Sequence, residues 1–149
     1  MQLENQEPFE VISFYRFMPL DDLETKRDKL RQALIENRIF GTILLADEGY
    51  NASLCGARQD IPQFIQAAND ILGTSIEPKS SYHSVSPFRK HEVKIKPEIV
   101  TLRKKVDIEK GNGTHVKPEN WNEIISDPEV FVLDTRNYYE YETGTFAND

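Results

Sequence analysis

Three groups of side chains carry most of the polar chemistry of this 149-residue chain. In VLDTRNYYEYETG, Asp134, Arg136, Glu140 and Gly144 follow an apolar run of strand length. A carboxylate just past a buried strand lies at the edge where α/β sheets place their sites. Arg136 can pair with carboxylates and brace that edge, and Gly144 permits a backbone turn. These residues read first as scaffold. The second group is Arg89, Lys90, Lys94, Lys96, Arg103, Lys104 and Lys105. Such a stripe can contact phosphates, with Phe88 and His91 supplying stacking or hydrogen bonds. Alternating Lys94 and Lys96 equally mark the solvent face of an edge strand, and both readings stand at this point. The third is Asp47 and Glu48 beside Gly49 and Asn51. Paired carboxylates can do acid–base work. Neighbours in a turn point apart, so a solvated turn is the preferred reading, with Asn51 bonding the turn backbone.

Other reactive groups are few. Cys55 is the single cysteine, so no disulfide framework forms within the chain. It sits in the apolar run ASLC with no neighbouring histidine and reads as a buried structural thiol. His83, His91 and His115 are scattered, and no spacing resembles a metal site or a phosphate-binding glycine motif. No metal and no visible cofactor are expected.

Charge is unevenly spread. Residues 1–78 carry 7 basic and 13 acidic side chains, net −6; residues 79–105 carry 8 and 2, net +6; residues 106–149 carry 3 and 10, net −7. A polyanion is attracted to the middle segment and repelled by its flanks. No apolar run approaches the roughly 20 residues of a membrane span. The polar, acidic start lacks the pattern of a leader, so a cytoplasmic location is expected.

These groups must be positioned by regular elements. FEVISFYRFM at 9–18 is aromatic and β-branched on both faces, as in a central strand. Asp21 with Glu24 forms a cap-like pair, and Leu23, Leu30, Ala33 and Leu34 repeat at helical spacing towards Arg38. IFGTILLA at 39–46 and ASLC at 52–55 read as two strands joined through a hairpin at Gly49. Asp60 with Gln63 opens a second helix, whose stripe of Ile61, Phe64, Ile65, Ala68, Ile71 and Leu72 is closed by Gly73. SIEPKSSYHSVSPF reads mostly as loop, and Val93 and Ile95 as the closing strand. The order β-α-β-β-α-β is the ferredoxin-like arrangement of an α+β domain. This gives a first domain over 1–104, a linker over 105–114 and a second unit over 115–149. In that unit THV and FVLD read as strands around a helix starting at Pro118.

Three stretches, in order, resemble known proteins. The pattern D-x-R-x-x-x-E-Y-x-x-G resembles the opening of an α/β rhodanese domain. GTILLADEGYNASLCG and PFRKHEVKIKPEIVTL resemble two motifs of the tRNA uridine(34) hydroxylases, a rhodanese-containing family formerly known as uncharacterised rhodanese-related proteins. Tyr50, Ala52 and Cys55 depart from its first motif. The resemblance covers nearly the whole chain. It implies an acylphosphatase-like first domain, the opening β-α-β of a rhodanese domain, and oxygen-dependent 5-hydroxylation of the tRNA wobble uridine with molecular oxygen as co-substrate. It also implies that the catalytic cysteine lies beyond Asp149 and that the anticodon arm of tRNA is the partner. No oligomeric state is implied. A rhodanese-type sulfurtransferase and a non-catalytic RNA- or protein-binding module remain the alternatives. Acylphosphatase chemistry is not expected, because RFMPLDD lacks a phosphate-binding glycine loop.

Overall fold

The apolar stretch at 9–17 forms β1 (Phe9–Phe17), whose residues alternate between two environments, with Ile12 and Phe14 buried and Ser13, Tyr15 and Arg16 exposed. The computed structural model describes residues 7–105, 107–111 and 113–146. After β1 come α1 (Leu23–Glu36), β2 (Phe40–Ala46), β3 (Gly49–Ala57), α2 (Ile61–Leu72), β4 (Lys79–His83) and β5 (His91–Ile95). They form a five-stranded sheet in the order β4-β1-β3-β2-β5. The first four strands are antiparallel to their neighbours, while β5 runs parallel to β2.

This is the ferredoxin-like α+β fold, with one change in strand assignment. The strand that closes β-α-β-β-α-β is β4, in a stretch expected to be loop. The strand expected to close it, at Val93 and Ile95, is an addition on the opposite edge. Every residue of β4 is exposed. KSSYH therefore has no apolar alternation, and its ladder with β1, from Phe9↔His83 to Ser13↔Lys79, defines it.

One face of the sheet is covered by α1 and α2. Ile12, Phe14, Ile43, Leu45, Tyr50 and Leu54 pack in one cluster with Leu30 and Leu34 of α1 and Phe64 and Ala68 of α2. Neither cap-like pair acts as expected. Asp22 is the residue before α1, in left-handed conformation with no side-chain cap, and Asp21 instead pairs with Lys26 at 2.9 Å. Asp60 receives both Nε and Nη2 of Arg38, at 3.2 and 2.8 Å.

The β2–β3 hairpin turns through Asp47 and Glu48, with Ala46 paired to Gly49. Gly49 has φ +146° and stands opposite Phe17 of β1; a Cβ there would lie 2.0 Å from the Arg16 carbonyl oxygen. Glycine is required by both conformation and space.

Residues 111–149 form a separate unit. It contains α3 (Pro118–Ile125), begun by the proline as expected, and α4 (Tyr138–Glu142). THV and FVLD form no strands. A strand is stabilised by its ladder, and no strand among the described residues pairs with either segment.

Candidate nucleic-acid interface

Five of the seven candidate basic side chains occupy two places on the first unit, at opposite ends of β5. Arg89 and Lys90 precede the strand and line a recess of about 400 Å³ with Arg31 of α1, His91, Glu92 and Val93. Arg103, Lys104 and Lys105 follow it and line a recess of about 470 Å³ with Asp47, Glu48, Pro97 and Glu98. From residue 90 to residue 96 the strand advances roughly 20 Å. In the sequence Arg31 is one charge on an outer helix face; the pairing of β5 beside α1 brings it to the first recess.

The second recess is held by hydrogen bonds. Glu48 Oε1 accepts the backbone N–H of Ile99 at 2.7 Å, and Ile99 is buried. Glu98 Oε2 accepts the N–H groups of Leu102 and Arg103 at 3.2 and 3.0 Å. Glu48 thus ties the segment after β5 to the hairpin, rather than standing in a solvated turn. The hairpin is itself fixed to the end of β1, since its Glu48 and Asp47 carbonyls accept from Met18 and Leu20 N–H, each at 3.0 Å. Asp47 stays exposed. The pair does no joint acid–base work in this geometry, because one carboxylate is committed to a backbone bond. Asn51 has no side-chain hydrogen bond to the turn among the described residues.

Lys94 points away from the helices and pairs with Glu92 at 3.1 Å, and Glu92 also accepts from Thr42 Oγ1 at 3.1 Å. The Lys94 hydrogen bond, aided by Thr42, holds the Glu92 carboxyl below its ordinary range. Lys96 continues the ladder through its N–H to Leu45 O at 2.8 Å. His91 Nδ1 donates to the Ile39 carbonyl at 2.7 Å, and the ring stacks on Phe40 with ring centres 4.4 Å apart. Phe88 is tied locally, with its N–H and carbonyl both bonded to Ser86 Oγ. Cys55 is fully buried in β3.

In the second unit, Asp134 and Arg136 form a tight clamp. Arg136 Nε lies 2.9 and 3.0 Å from the two carboxylate oxygens, and Nη2 also reaches Asp134 and, at 2.8 Å, the Gly144 carbonyl. The Arg136 side-chain hydrogen bonds and its backbone N–H hold the Asp134 carboxyl at about 2. Gly144 has φ +149° with open space around it. Glu140 stands apart from this clamp; it accepts from the Asn137 N–H and Nδ2, each at 3.0 Å, at the start of α4. Trp121, Ile124, Phe131, Leu133 and Phe146 border a cleft of about 300 Å³ beside the clamp. Among the described residues there is no group of His, Cys, Asp and Glu that could hold a metal ion, and no helix long and apolar enough to cross a membrane.

The fold defines the first unit as an acylphosphatase-like, ferredoxin-type α+β domain. Residues 9–99 match the family described as UPF0176 acylphosphatase like domain, and the chain belongs to that family. The chain is 43% identical over 140 residues to a tRNA uridine(34) hydroxylase of Legionella pneumophila (strain Corby), covering 93% of this chain and 55% of that protein. It is 42% identical to the protein of the same name from strain Paris, with the same coverage. The chain spans about half the length of these relatives. Among solved structures it is similar to an acylphosphatase from Coxiella burnetii, at TM-score 0.43 and 13% identity, covering 63% of this chain and 99% of that one.

Proposed function

We propose that this chain is the N-terminal part of a tRNA-modifying enzyme that 5-hydroxylates the wobble uridine, with molecular oxygen as co-substrate. Its first unit grips the anticodon arm. The observation that carries the reading is the convergence of Arg103, Lys104 and Lys105 on a recess anchored by the Glu48–Ile99 bond. Asp47, Glu48 and Glu98 share this recess; Glu48 and Glu98 are engaged by backbone N–H groups, and the three basic side chains beside them are suited to phosphates. The names of the relatives, which span this chain and continue beyond it, favour tRNA as the polyanion. Asp134 and Arg136 brace the start of a rhodanese domain. The reactive cysteine lies beyond Asp149, and the fully buried Cys55 is a core residue.

The test uses the full-length protein. Cells lacking the gene are complemented and their tRNA is analysed by mass spectrometry for 5-hydroxyuridine. Replacing Arg103, Lys104 and Lys105 with alanine is expected to weaken tRNA binding and to lower the salt slope of log K by roughly 0.7–0.9 for each phosphate no longer neutralised. Unchanged binding with an unchanged slope overturns the interface. Thiocyanate formation without hydroxylated uridine assigns the protein to sulfur transfer instead.

A further inference from the structure

The sheet face turned away from the helices meets the basic recesses at Glu92, which borders the first of them. Its composition follows from strand alternation and register. Across the sheet, Tyr15, Asn51, Leu44 and Lys94 stand in one row as direct cross-strand neighbours on β1, β3, β2 and β5. The next row is Lys79, Ser13, Ser53, Thr42 and Glu92. The Thr42–Glu92 and Lys94–Glu92 contacts confirm that these side chains share the face.

Three features single out the first row. Tyr15 is 63% exposed on a central strand, although the aromatic residue before it, Phe14, is buried at 6%. Its ring is held edge-on to Phe17, with centres 6.4 Å apart. Asn51 presents an amide with no hydrogen-bond partner among the described residues. The charges of the two rows are Lys79, Lys94 and Glu92, a cationic balance on an acidic chain, and the one carboxylate is already paired with Lys94 and Thr42.

We infer that this open face is a platform for single-stranded RNA, on which a base stacks on Tyr15, an adjacent base edge meets Asn51, and the backbone phosphate lies at Lys94. The deduction rests on the RNA reading given above and extends it to a second surface. Neighbouring strands lie about 4.8 Å apart, so the row spans about 14 Å. Four-stranded sheets of RNA-binding domains stack two or three bases on central-strand aromatics in this manner. The exposed Lys94–Glu92 pair contributes little to folding, which leaves Lys94 able to exchange its carboxylate for a phosphate.

The experiment measures binding of the chain to hexauridylate and to tRNA by fluorescence anisotropy over a salt series. Tyr15→Ala is expected to weaken hexauridylate binding about tenfold, the loss typical of one stacked base. The salt slope stays constant, because stacking releases no counterions, and Tyr15→Phe restores binding. Lys94→Ala is expected to lower both affinity and slope, the latter by about 0.7. Since Tyr15 is exposed, thermal unfolding of each variant is expected to match the parent. If tRNA binding persists while Tyr15→Ala leaves hexauridylate affinity unchanged, the platform is overturned and the wider RNA reading stands. If the parent binds neither RNA, both fall. Self-association of the chain that disappears in Tyr15→Ala would assign the face to a protein contact and overturn the inference.

Discussion

The two units differ in what their apolar side chains do. Through residue 110, hydrophobic residues from Ile12 to Ile99 are buried in a sheet-and-helix core. From residue 111, neither α3 nor α4 buries a residue, and Phe131 and Leu133 are 84% and 71% exposed. The indole N–H of Trp121 is buried without a hydrogen-bond partner among the described residues. Local signals are nevertheless good in both units: the proline start of α3 formed as well as the stripe of α2. Local preference forms helices, but apolar burial requires facing layers. The first unit holds itself together by packing, whereas the second relies on local polar clamps.

That contrast can be broken most severely in the core. Phe64→Ala removes a fully buried ring and is expected to cost about 3–5 kcal/mol in denaturant unfolding of the first unit. Phe131→Ser in the second unit is expected to change stability by no more than about 0.5 kcal/mol. Equal effects would dissolve the distinction. The glycines provide a finer comparison. Gly49→Ala meets the Arg16 carbonyl as well as an unfavourable φ, while Gly144→Ala meets only the φ. Gly49→Ala is expected to exceed about 3 kcal/mol and Gly144→Ala to stay within about 1–3 kcal/mol, measured by thermal melting. Glu48→Ala should cost about 1 kcal/mol and accelerate hydrogen exchange at the Ile99 amide, leaving β2–β3 amides protected. Unaltered exchange at Ile99 would mean that the loop does not need its anchor.

The smallest effect is set by pH. Asp134 has its carboxyl lowered from an ordinary 3.8 to about 2 by Arg136. A lowered pKa means that the folded state prefers the carboxylate, so its stabilisation is full above pH 3.8 and disappears as pH falls through about 2. Carbon-detected NMR titration should show Asp134 titrating near 2, and Arg136→Gln should return it towards 3.8. A midpoint at 3.8 in the parent would remove the clamp from the second unit.

Sequence periodicity located the elements that bury a stripe. The six-residue pattern from Ile61 to Leu72 marked α2, and the aromatic run at 9–18 marked β1 as central. It could not mark β4, because KSSYH buries nothing and is defined by backbone pairing with β1. It placed Val93 and Ile95 in a strand but at the wrong edge, since one half-buried strand looks the same beside either neighbour. At the interface, the cations were visible as composition, but their separation into two recesses depends on the direction of β5. Glu48 resembled a turn residue because its partner is a backbone amide 51 positions away. Of the pattern at 134–144, Arg136 was readable as a partner for carboxylates, but that the carboxylate is Asp134, two positions away, came only with the structure. Glu140 was not separable from this pair until the turn before α4 was known.

The parallel pairing of β5 with β2 has a consequence for solubility. Without β5, FGTILLA would be the outermost strand of the sheet, a flat apolar segment with free backbone groups and no charge among its seven residues. Such edges recruit strands from other molecules and seed aggregates. HEVKI covers that edge and presents Glu92 and Lys94 in its place. A domain cut just before His91 would retain all four strands of the ferredoxin-like sheet and still be prone to precipitate.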